Sequence, residues 1–67
     1  MMGNMKSGDV VAKRADGAEL VYTRTDDSGV DFGYIQSPDG TKYSENSLLA
    51  LSARGNWEVL IQPDRLL

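Results

Sequence analysis

The sequence contains no cysteine and no histidine. The first absence excludes a disulfide framework and thiolate chemistry, and the second removes imidazole, the commonest general base at neutral pH. Together they remove the soft and imidazole ligands of structural zinc sites. No run approaches the roughly 20 apolar residues that cross a bilayer, and Met1 to Gly8 has no apolar stretch resembling a secretory signal. A reducing, cytoplasmic setting is the expectation. Proline is scarce, with Pro38 and Pro63 alone, and aromatic residues make up 7% of the chain. Small size compounds these shortages. A domain of 67 residues buries only about 60% of the surface its unfolded chain exposes, so its core is thin or another chain completes it.

What is present is an acidic chain of net charge −3 with unevenly placed signs. Lys6, Lys13, Arg14 and Arg24 outnumber Asp9, Asp16 and Glu19 in the first 25 residues. Residues 26–45 carry Asp26, Asp27, Asp31, Asp39 and Glu45 against Lys42. The overall acidity weighs against a protein that grips a phosphate backbone.

Turn chemistry divides the chain into short β segments. Gly8-Asp9 precedes a strand through Val10, Val11 and Ala12, and Asp16-Gly17 suits a tight primed hairpin turn. Residues 19–25 alternate, with Leu20, Tyr22 and Arg24 facing one way and Val21, Thr23 and Thr25 the other. Asp26 to Gly29 reads as a loop. In the strand that follows, Val30, Phe32 and Tyr34 are assigned to the core face and Asp31, Gly33 and Ile35 to the opposite one, with Gly33 marking a bulge or bend. Ser37-Pro38-Asp39-Gly40 is a further reversal. Trp57, Val59 and Ile61 alternate with Glu58, Leu60 and Gln62 before Pro63 ends the pattern.

Residues 44–55 admit two readings. A helix over 45–54 would be capped by Ser44 and closed by Gly55. Alternatively, one helical turn at 45–48 leads into a strand at 49–53, whose Leu49 and Leu51 face the core. The second is preferred, because a strand at 57–62 then finds its neighbour close by in sequence. The expected core is Val11, Leu20, Tyr22, Phe32, Tyr34, Leu49, Leu51, Trp57, Val59 and Ile61.

These elements predict an all-β domain over residues 8–67 behind a flexible 1–7 terminus. It is expected to be a small SH3-like barrel or a strongly bent antiparallel sheet of five to six short strands, with α+β as the alternative if 45–54 is helical. The stretch Lys6-Ser7-Gly8-Asp9-Val10-Val11 resembles the opening of SH3-like small barrels, including KOW-type modules and small bacterial proteins of that pattern. Gly40-Thr41-Lys42-Tyr43 followed by Ser47-Leu48-Leu49 resembles their passage through a helical turn into the last strand. The resemblance spans most of residues 6–52 and implies a barrel that sometimes binds nucleic acid.

No spacing of Ser, Lys or carboxylates forms a catalytic constellation, so the expectation is a non-enzyme without a cofactor. Asp26, Ser28 and Asp31 offer hard oxygen ligands, but they depart from the calcium-loop pattern and no metal site is assigned. Lys13, Arg14, Tyr22 and Arg24 are the candidate nucleic-acid contacts. Val21, Ile35, Leu60, Leu66 and Leu67, apolar residues off the expected core face, are the candidate protein interface. A module that binds another protein or itself is the leading expectation, ahead of weak nucleic-acid binding, with no membrane involved.

Overall fold

The computed structural model describes residues 5–53 and 55–61. Five antiparallel strands and one short helix follow one another as β1 (Val10–Arg14), β2 (Glu19–Thr25), β3 (Asp31–Gln36), β4 (Asn46–Ser47), α1 (Leu48–Ser52) and β5 (Trp57–Val59). The strands form one sheet in the order β4-β3-β2-β1-β5. The Cα radius of gyration is 10.8 Å, close to the roughly 11 Å of a well-packed chain of this length. No helix among the described residues is long and apolar enough to cross a membrane.

The hairpin ends share one hydrogen-bonding plan. At the β1–β2 turn the Gly17 N–H donates to Arg14 O at 2.9 Å, and the Arg14 N–H donates to Ala18 O at 2.9 Å. Gly17 has φ 94°, and no non-glycine residue among those described has positive φ. Either primed turn needs positive φ at its first central position, here Asp16, so the expected primed turn gives way to a type I turn closed by a glycine bulge. The same two bonds recur at Gly29 and at Gly40.

Two bulges bend the sheet. The β1–β2 register shifts between Val10 and Ala12. The β2–β3 register shifts between Tyr22 and Arg24, leaving Thr23 as the extra residue. Such insertions increase local twist and curl a short sheet. Gly33 sits opposite Tyr22 beside the second bulge, where its sequence had suggested an irregularity.

The expected bent sheet with a helical turn is what forms, but it does not close. β4 and β5 lie at opposite edges and are not paired with each other. The SH3-like small barrel is therefore overturned. The physical reason lies at the edges, since β4 is two residues long and β5 three, too short to bridge the gap. Instead, α1 covers one face of the open sheet.

The helix also settles residues 44–55. Ser47, not Ser44, is its N-cap, and its side chain accepts the Ala50 N–H at 3.2 Å. The helical turn lies just past the expected 45–48, and no strand forms at 49–53. Leu48 and Leu51 are buried and Leu49 is exposed. The β5 strand finds its neighbour in β1, through the pairs Ala12–Val59, Lys13–Glu58 and Arg14–Trp57. That pairing joins opposite ends of the chain, so proximity in sequence was a misleading guide.

The core is Val11, Ala12, Ala18, Leu20, Tyr22, Ile35, Leu48 and Leu51, with Met5, Trp57, Val59 and Ile61 packed against it. β3 thus presents the reverse of its expected face. Its Gly33 and Ile35 pair with Tyr22 and Leu20 on the covered side, while Phe32 and Tyr34 are half-buried. Gly33 dictates this choice. A Cβ there would lie 2.1 Å from Val21 O and 2.6 Å from Leu48 Cδ2, so Leu48 fills the space a side chain would take.

Gly33→Ala should accordingly cost about 3 kcal/mol through overpacking, most of the stability available to a domain this small. Urea denaturation monitored by circular dichroism checks this, and a midpoint equal to that of the wild type would refute the close approach.

Candidate functional site

The candidate contact residues separate once folded. Of the proposed protein interface, Val21 is 3% exposed and Ile35 is 6% exposed, so this chain itself covers both. Ile35 belongs to the core cluster beneath α1. Val21 pairs with Tyr34 on the opposite side of the sheet. Leu60 is 51% exposed and is the one member of the set that presents an apolar surface among the described residues. Leu66 and Leu67 lie outside the described residues.

The four proposed nucleic-acid contacts do not converge either. Tyr22 is buried, and its hydroxyl bonds Thr25 Oγ1 at 2.7 Å, while Thr25 Oγ1 donates to Asp31 Oδ1 at 2.6 Å. Arg14 forks onto Asp16, with Nε 3.0 Å from Oδ1 and Nη2 2.9 Å from Oδ2. That hydrogen bonding raises the Arg14 pKa still further above neutrality. Arg24 bridges Glu45 at 3.2 Å, and its guanidinium lies 4.1 Å from the Phe32 ring centroid. Lys13 stands 3.8 Å from Glu19 and pairs across the sheet with Glu58. Each of these cations already faces a carboxylate, which leaves little field for a phosphate backbone.

Two acidic residues of 26–45, Asp26 and Asp39, act within the turns. Asp26 Oδ1 accepts the Ser28 N–H at 3.0 Å, the Ser28 hydroxyl at 2.7 Å and the Val30 N–H at 3.0 Å. Asp39 Oδ1 accepts the Ser37 hydroxyl and, at 2.9 Å, the Thr41 N–H. The described residues hold no group of three or more carboxylates placed to bind a metal ion.

Two shallow concavities flank β1. One, of about 350 Å³, is lined by Arg14, Ile35, Tyr43, Ser44, Asn46 and Leu51. The other, of about 320 Å³, lies between Lys13 to Ala15 and Asn56 to Glu58. Their linings offer hydrogen-bonding groups but bring no nucleophile against a base.

The sequence did not reveal the open edge at β5. Among the described residues this strand has β1 as its single partner. The half-buried Trp57 and Val59 flank the exposed Glu58, and Leu60 follows directly. Arg14 lies 5.2 Å from the Trp57 ring centroid, and the indole N–H is buried without a hydrogen-bond partner among the described residues. The β4 edge is blunter, ending after two residues in the cap of α1. Glu58 was visible as one polar step in an alternating strand, but its edge position depends on a pairing between distant segments.

No protein-family model matches this chain, nor does any curated protein or solved structure. Its function is therefore to be argued from its own geometry.

Several carboxyls are held below their ordinary range. The Ser37 hydroxyl and then the Thr41 N–H bring Asp39 down to about 2. Arg14 lowers Asp16, the Ser28 hydroxyl lowers Asp26, and the Thr23 hydroxyl lowers Glu45. A group depressed in the folded state adds stability above its unfolded pKa of about 4, and that stability is lost as pH falls through the folded value. Unfolding midpoints in urea should therefore fall as pH is lowered from about 5 to about 2. An NMR titration should place the Asp39 carboxyl near 2, and Ser37→Ala should move it up toward about 4. A wild-type midpoint already near 4 would show that the turn does not hold the carboxylate.

Proposed function

We propose that this protein is a non-catalytic interaction domain of the cytoplasm that takes its partner at the β5 edge. The carrying observation is that β5 is, among the described residues, an edge strand with one neighbour and an exposed Leu60 immediately beyond it. The outer side of such a strand offers backbone groups to a further strand, and adding one is a general mode of peptide recognition. Half-buried Trp57 and Val59 supply the apolar shoulders that alternate side chains of an incoming segment would contact. Lack of cysteine and histidine supports a binding role over a catalytic one, and the lack of cysteine suits a reducing compartment.

Selection from a displayed library of extended peptides tests the reading. Binders of the wild type should lose about tenfold in affinity for Leu60→Asp, the loss expected when roughly half a leucine side chain no longer becomes buried. Leu60 is exposed, so this variant should keep its circular dichroism spectrum. Recovery of binders that hold both proteins equally, or of none, would place the function elsewhere.

A further inference from the structure

The register of the whole sheet carries information about what the β5 edge accepts. Residues opposite one another in neighbouring strands share a face and interact directly. One row across the sheet runs Gln36, Glu19, Lys13, Glu58. Its charges alternate, negative at Glu19, positive at Lys13 and negative at Glu58, which closes the row at the open edge. The adjacent row runs Ile35, Leu20, Ala12, Val59 and is apolar throughout. The row on the other side ends in Arg14 and Trp57, with the guanidinium near the indole ring.

Resting on the edge reading above, we infer that the partner is an extended segment of another protein bearing a basic residue between two apolar ones. The basic residue lies opposite Glu58 and continues the alternation of charge. Its two neighbours lie opposite Trp57 and Val59 on the face covered by α1, one extending the apolar row and the other lying beside the Arg14–Trp57 pair.

The same geometry selects against a second copy. Antiparallel two-fold pairing centred on β5 would bring its middle residue, Glu58, against the Glu58 of the other molecule. Directly opposed like charges destabilise a strand pair, and an inward or edge charge is a common device against unwanted edge pairing. Glu58 therefore has two effects from one charge: it repels the identical strand and attracts a basic one. The cleft of Lys13 to Ala15 and Asn56 to Glu58 adjoins this position.

The test compares acetyl-Thr-Val-Lys-Val-Thr-amide with the same peptide carrying Glu in place of Lys, using the isotope-labelled full chain. Amide shifts identify the site, and fluorescence of Trp57, the single tryptophan, gives affinity. The Lys peptide should shift the Trp57, Glu58 and Val59 amides and bind about fivefold more tightly than the Glu peptide, the ratio expected of opposed against like cross-strand pairs. Glu58→Gln should abolish that preference and Glu58→Lys should reverse it, both with the dispersed spectrum of a folded domain. Equal binding of the two peptides at β5 would overturn the charge selection and leave the edge reading standing. The absence of β5 shifts with either peptide would overturn both. Dimerisation through β5 without peptide, seen by sedimentation equilibrium, would overturn the choice of a foreign strand.

Discussion

The structure depends on the contact in which Leu48 of α1 reaches down onto the backbone of β2 and β3 at Gly33. No side chain fits at residue 33, because Val21 O and Leu48 Cδ2 already occupy its surroundings. That contact decides which face of β3 is inner and seats the first turn of the helix. It also brings Leu51 over Ile35 and Leu20 within one cluster. A helix of five residues would have no stability in isolation. It exists because Ser47 caps it and two of its leucines enter the sheet.

Charge has a different part in this fold from the one its density suggests. Asp26 and Asp39 serve as acceptors for turn N–H and hydroxyl groups, which is why their carboxyls are depressed. Basic residues of the first hairpin are neutralised across short distances by Asp16, Glu19 and Glu45. Exposed pairs of this kind add little stability, but they erase the basic edge that the sequence displays. Beside these pairings stands the β5 edge of the described sheet, with the exposed carboxylate of Glu58 at its centre.

Much of the local structure was legible. Aspartate, serine and glycine placed the three hairpin reversals, and alternation of Tyr, Val and Thr marked β2. Trp57 to Val59 was recognisable as a strand. The faces of β3 were not, because bulk pointed Phe32 and Tyr34 inward whereas the space beside Gly33 was reserved for a leucine 15 positions away. Ile35 was misread as surplus apolar surface for the same reason, whereas Val21 does lie off the core face but is covered there, opposite Tyr34. Both are covered by the chain itself, and of the expected interface Leu60 alone is exposed among the described residues.

The sequence by itself determined a small, disulfide-free, antiparallel β domain, because turn propensity and period-two patterning act over a few residues. Only the tertiary structure decided that the sheet stays open, that residues 48–52 are helical, and that β5 pairs with β1. Those outcomes turn on which distant segments win a shared neighbour. Local preference is nearly balanced at 44–55, and burial of Leu48 and Leu51 beside Ile35 tips it.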